Sequence, residues 1–167
     1  MLDLCENLNG CDRFSHLLIG KCLLTDYVII VPLRSKTATE VVHAIIQNIL
    51  IPHDVKKVIS DNGPCFRNKT WLEAAAAFGI TIGPTSALHP QGRGEIERLV
   101  GTVKIMLKKM LATRPSLRWD WLPYVVAKII NNTVSPKTGF TPKQMISGAD
   151  GGGASFLESD DMAPLHH

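Results

Sequence analysis

The sequence has no long apolar run: its most hydrophobic stretch, Val28 to Leu33, is far shorter than the roughly 20 residues a helix needs to cross a bilayer. A membrane-spanning helix is therefore not expected. Met1 is followed almost at once by strand-like sequence, without the basic start, apolar segment and small-residue cleavage site of a secretory signal, so an intracellular protein is the default expectation. Cysteine is sparse and unpatterned. Cys5, Cys11, Cys22 and Cys65 include no Cys-x-x-Cys pair and no histidine pair at zinc-finger spacing, which argues against a structural zinc site and leaves small buried hydrophobes or free thiols. No internal repeat is visible. Lys and Arg are missing altogether after Gly148, where Asp150, Glu158, Asp160 and Asp161 stand. That leaves residues 1–148 with 18 basic side chains against 11 of the 15 acids, a net of +7 that suits a polyanionic partner without proving one.

What is present fits one soluble domain of 167 residues with 45% hydrophobic and 20% charged content. Short β-rich runs come first, at Leu2 to Leu4, Leu17 to Leu24 and Tyr27 to Leu33. A helix is expected from Thr37 or Thr39 to about Ile49, ended by Pro52, and then a buried strand from Val55 to Ser60. Asp61-Asn62-Gly63-Pro64 is a strong turn signal. An Ala-rich helix from Asn68 to Phe78 and a short strand, Ile80 to Ile82, follow. A polar loop, Pro84 to Gly94, should lead into a long helix from about Glu95 to Ala112. Two more helices are expected, Leu117 to Asn131 and Thr141 to Ile146. This order implies an α/β layer protein with a mixed sheet over residues 1–148. The Gly-rich acidic stretch 149–167 reads as a disordered tail.

Three acids stand out by position. Asp61 sits where an apolar strand meets a turn, the sheet edge at which open α/β folds build their sites. Glu97 lies near the start of the long helix, and Asp3 on the first strand. Each has a bland explanation: a turn initiator, a helix-dipole partner, a solvated acid. The set and its setting change the balance. Thirty-five residues lie between Asp61 and Glu97, and the second acid is preceded by His89-Pro90-Gln91-Gly92-Arg93-Gly94-Glu95-Ile96.

Together with Ser60-Asp61-Asn62-Gly63-Pro64-Cys65-Phe66, Pro32-Leu33 with Lys36-Thr37-Ala38, and Asn131-Asn132-Thr133 through Gly139-Phe140-Thr141-Pro142, these motifs resemble, in family order, the retroviral and LTR-retrotransposon integrase catalytic core, closest to Ty3/gypsy-like elements. The resemblance covers nearly all of residues 2–148. It implies an RNase H-like three-layer fold with a mixed five-stranded sheet flanked by helices. It also implies a polynucleotidyl transferase that integrates DNA by 3′-end processing and strand transfer, nuclear when it acts on host DNA. Asp3, Asp61 and Glu97 would be its catalytic residues and the ligands of two Mg²⁺ or Mn²⁺ ions, Asp3 with Asp61 on one and Asp3 with Glu97 on the other. Hard carboxylate oxygens suit such cations, and three clustered acids without one repel. The chain shows no His-His-Cys-Cys module before the core and no small barrel after it, so weak activity is expected of it alone.

On a 3.6-residue period Ile96, Val100, Val103, Leu107, Met110 and Leu111 form a core stripe, while Glu97, Gly101, Lys104 and Lys108 share another face. Lys104 and Lys108 are thus candidates to hold DNA phosphates, with Arg98 and Arg93 beside them, though each is equally readable as a solvated surface charge. The resemblance adds Ser86, His89 and Gln91 in the loop. It also places a subunit-pairing surface around Trp119 to Ile130, hence a homodimer or higher oligomer. Trp71, Trp119, Trp121 and Phe78 read as core or subunit-contact aromatics rather than base-stacking platforms. Two other readings compete: a decayed or host-adopted fragment that only binds DNA or dimerises, and an RNase H-type nuclease.

Overall fold

A computed structural model describes residues 1–5, 15–61, 63–84 and 90–148 of the chain. Five strands, β1 (Leu2–Cys5), β2 (His16–Lys21), β3 (Val28–Leu33), β4 (Lys57–Ser60) and β5 (Thr81–Pro84), form one sheet in the order β3-β2-β1-β4-β5. β1, β2 and β3 run as an antiparallel meander, and β1, β4 and β5 are parallel, so the sheet is mixed as expected. β1 lies at its centre. Asp3 opposes Ile19 of β2, while Leu2 pairs with Ser60 at the end of β4. That parallel register brings Asp61, the next residue, to the strand that carries Asp3.

Alternation along the strands splits the core into two layers. Leu2, Leu18, Val31, Leu33 and Val58 pack with helices α1 (Ala38–Ile45), α2 (Pro64–Arg67) and α3 (Lys69–Ala77). Cys5, Leu17, Ile19, Val28 and Ile30 pack on the other face with α4 (Pro90–Thr113) and α5 (Leu122–Asn131). The result is helix, sheet, helix. α1 continues as a π-helical segment, Ile46–Leu50, and stops before Pro52. Asn68 accepts a hydrogen bond from the Trp71 amide to start α3, and Trp71 is fully buried. A final short helix, α6 (Pro142–Ser147), opens with a reciprocal capping box between Thr141 and Gln144.

The largest difference from expectation concerns α4, which begins at Pro90 rather than near Glu95. Proline at a first helical position loses no hydrogen bond and is pre-set for the helix. Gly92 and Gly94 cost about 1 kcal/mol each relative to alanine inside a helix. Burial of Val103 and Leu107 on the sheet, and of Ile96, outweighs that. Segment 90–94 is therefore helical, not loop. The helix expected from Leu117 is also shorter: a 3₁₀ turn, Trp119–Trp121, precedes α5. No helix among the described residues is long and apolar enough to cross a membrane. The proposed tail, 149–167, lies outside the described residues.

Candidate functional site

The three candidate acids are placed by different elements. Asp3 is half-buried, held in place because its strand is the central one. Asp61 is exposed just beyond β4, and its Oδ1 accepts a hydrogen bond from the Gly63 amide at 3.2 Å. The turn reading of this aspartate is thus true, and compatible with a second role. Space is tight two residues on: a Cβ at 63 would stand 3.0 Å from Asp61 Oδ1, so the carboxylate would have to give way. Glu97 is exposed in the second turn of α4, beyond the first turn where the helix dipole alone would account for it. Its Oε1 lies 3.1 Å from Arg93 Nε, one turn earlier.

Electrostatics ties the three together. Burial raises the Asp3 carboxyl above its ordinary range, the Asp61 and Glu97 carboxylates raise it further, and a hydrogen bond from the Leu4 backbone and the charge of Arg93 oppose them. Like charge has been gathered around a half-buried acid, an arrangement that costs stability and is relieved by a cation. Among the described residues, however, no three His, Cys, Asp or Glu side chains stand close enough to hold a metal as placed. Glu97 is turned to Arg93, and Asp61 to its own turn. The donor set has the right chemistry for a hard divalent cation, and two exposed carboxylates would have to swing onto it.

A cleft of about 370 Å³ borders Asp61, with Ser60, Arg67 and Gly83 among its walls. A larger cavity of about 510 Å³, walled by Gly20, Tyr27, Ile49 and Val58 among others, includes none of the three acids. Arg93, Arg98 and Lys108 are exposed and Lys104 is half-buried along α4. Lys104 lies seven residues from Glu97, about 10 Å along the axis at ~1.5 Å per residue. Ser86 and His89 fall outside the described residues, and of Gln91 only its place in α4 is described. Of the aromatics, Trp71 is core, whereas Trp121 and Phe78 are exposed, Trp121 lying under the Arg118 guanidinium at 4.8 Å.

Sequence reasoning missed a second charged cluster on the same helix. Lys21 Nζ is 2.9 Å from Glu95 Oε2 and 3.1 Å from Asp26 Oδ1, and Lys137 Nζ lies 3.8 Å from Glu95 and 3.9 Å from Asp26. Ser135 donates to Asp26 Oδ2 at 2.9 Å. It also missed the role of Asn131, buried, which accepts from the Val28 amide and donates to the Val28 carbonyl, tying α5 to β3. Lys21 and Asp26 are close in sequence, but Lys21 is 74 residues from Glu95, Val28 is 103 from Asn131 and Asp26 is 109 from Ser135, so no local spacing announces the whole set. Only the Asn131-Asn132-Thr133 motif hinted at one.

No family model matches the chain. Over 150 residues it is 33% identical to the Pro-Pol polyprotein of simian foamy virus type 3, a match spanning 89% of this chain but only 13% of that polyprotein. Among solved structures it superposes on the catalytic core domain of BIV integrase with a TM-score of 0.74 and 20% identity, covering 89% of this chain and 92% of that one. The HTLV-2 integrase catalytic core, in its dimeric form with magnesium, gives a TM-score of 0.72 at 21% identity, covering 86% and 91%. Strand order, layer arrangement and these likenesses agree with the motifs read from the sequence: the chain has the fold of the retroviral integrase catalytic core and is similar to a 150-residue stretch of a retroviral Pro-Pol polyprotein.

Proposed function

We propose that this domain is a divalent-metal-dependent polynucleotidyl transferase that processes DNA 3′ ends and joins them to target DNA. What supports the proposal is an integrase-core fold in which Asp61 and Glu97 lie near enough to the half-buried Asp3 for their charges to raise its carboxyl. Asp3, Asp61 and Glu97 are the proposed ligands of two Mg²⁺ or Mn²⁺ ions. Magnesium accompanies the HTLV-2 core. Such ions activate an attacking oxygen and neutralise charge on the leaving one. The chain's own residues supply the rest. Asp3 is a fixed anchor because its strand is central. Asp61 stands exposed at the turn, with one oxygen on the Gly63 amide, and Glu97 gives up only an exposed pair with Arg93 when it turns to a ligand. Lys104, Lys108 and Arg98 offer positive charge to a phosphate backbone laid along α4, and Arg93, once released by Glu97, adds to it.

The Ty3/gypsy-like affinity of the motifs and nuclear action belong to the same proposal. So does self-association. Trp121, at the end of the 3₁₀ turn, and Val125 and Ile129 on α5 recur every four residues, and all three are exposed with Tyr124, an apolar stripe suited to a second copy of the chain. A decayed fragment is the less economical reading, because all three acids remain on an intact fold. The test is incubation with Mn²⁺ and labelled DNA bearing a free 3′-hydroxyl, comparing the chain with Glu97→Gln. Joined product from the chain and none from the variant is expected. Equal product from both would overturn the assignment, and cleavage of an RNA:DNA hybrid without joining would favour the nuclease reading.

A further inference from the structure

The cluster of Lys21, Asp26, Glu95, Lys137 and Ser135 does not belong to the three-acid site, yet it grips the helix that delivers Glu97. Consecutive residues on a helix are about 100° apart, so Glu95, Ile96 and Glu97 point to one flank, the middle and the other flank of α4. Ile96 is 2% exposed. Glu95 reaches Lys21 at the end of β2 on one side, and Glu97 faces the Arg93, Asp61 and Asp3 side on the other. Val103 and Leu107 hold the middle of the helix on the sheet, while the turns around Gly92 and Gly94 depend on contacts of their own. The contact at Glu95 fixes the rotation of those turns.

The cluster is built to do so. The side chains of Lys21 and Asp26 are 13% exposed and that of Glu95 27%, so these charges meet away from most water. Two cations face two carboxylates, and no net charge is left to attract a ligand. Lys21 stands two residues beyond Ile19, the partner of Asp3 across the sheet, so one strand carries both the neighbour of the anchor acid and the grip on the helix. Asp26 adopts a left-handed backbone (φ 60°), which turns its carboxylate back onto Lys21 and Ser135. Lys137 and Ser135 tie in the turn that follows α5.

We infer that Lys21 and Glu95 are positioning residues: their ion pair sets the rotation of α4 that aims Glu97 at Asp3 and Asp61. This rests on the metal-site reading above for its consequence, though not for its geometry. Outer contacts of this kind typically change metal affinity by about 10- to 100-fold when removed.

The test uses the full chain and two readouts. Backbone hydrogen exchange over residues 94–101 needs no metal, and the Mn²⁺ midpoint for thermal stabilisation reads the site. Lys21→Met and Glu95→Gln are expected to speed exchange in that segment and raise the Mn²⁺ midpoint roughly tenfold. Lys21→Arg, which keeps the pair, should restore both. Thr141→Ala, which loses the α6 cap far along the chain, controls for a general loss of stability and should move neither. Unchanged exchange in Lys21→Met would overturn the clamp. Faster exchange with an unchanged midpoint would overturn its link to Glu97. If the unaltered chain binds no Mn²⁺ while exchange still responds, the clamp survives and the metal site does not.

Discussion

On one flank of α4, Glu95 is met by two lysines within 4 Å and shares them with Asp26; on the other, Glu97 has one exposed arginine and two further acids nearby. The two residues are neighbours in sequence, on one helix, of one chemical type, and their surroundings are opposite. The hydrogen bond and charge of Lys21 hold the Glu95 carboxyl below its ordinary range. Burial works against the charge of Asp26, but the Ser135 hydroxyl and Lys21 outweigh it and hold that carboxyl low as well. Asp3, beside Glu97, is pushed the other way. A charge that folding needs is compensated by folding, whereas a charge cluster left uncompensated costs stability and marks a site where something else supplies the counter-charge.

The strongest way to sharpen this contrast is through activity. Asp61→Asn should lower strand transfer by at least about two orders of magnitude, since loss of even an outer-shell partner reaches that scale, with joined DNA product as the readout. On the compensated flank the large effect falls on stability instead. Lys21→Met leaves Asp26 and Glu95 with only the half-exposed Lys137, and breaking such a largely buried pair costs about 3 kcal/mol, measurable by urea unfolding.

Acid should split the two flanks by sign. Asp26 and Glu95 have folded values below their ordinary 3.8 and 4.5, so their contribution is complete above those values and is lost as pH falls through the lower folded ones. Asp3 has a raised folded value, so it destabilises the metal-free fold while ionised, and acidification through that value returns stability. Asp3→Asn should therefore raise the melting temperature of the metal-free chain at neutral pH while removing activity; a lower melting temperature would break the contrast. The smallest effect is expected at Arg93→Ala. Its exposed pair with Glu97, one helical turn apart, contributes at most about 0.5 kcal/mol, so unfolding should barely change.

The fold was largely legible because its signals are local. Val28 to Leu33 is β-rich, Asn68 caps a helix, Gly63 follows a turn aspartate, and Thr141 precedes Gln144 at capping-box spacing. The boundary at Pro90 was misjudged because glycines that read as loop signals are overridden by packing further along the helix. At the proposed site, the interval and flanking motifs singled out Asp61 and Glu97. The turn of Glu97 toward Arg93 was not, because it became visible only once segment 90–94 was known to be helical, placing the two one turn apart. The Glu95 cluster was illegible for a different reason: Lys21, Asp26 and Lys137 meet only after the sheet and α5 have formed, and no spacing in the sequence records it.

The central claim is that Asp3, Asp61 and Glu97 together receive a divalent cation. A thermal-unfolding titration of the chain and of Asp61→Asn with Mn²⁺ tests it most directly. The claim predicts that the chain gains about 2.7 kcal/mol at a metal concentration roughly 100 times its dissociation constant, and that the variant gains almost none. Equal stabilisation of both, or of neither, would contradict it.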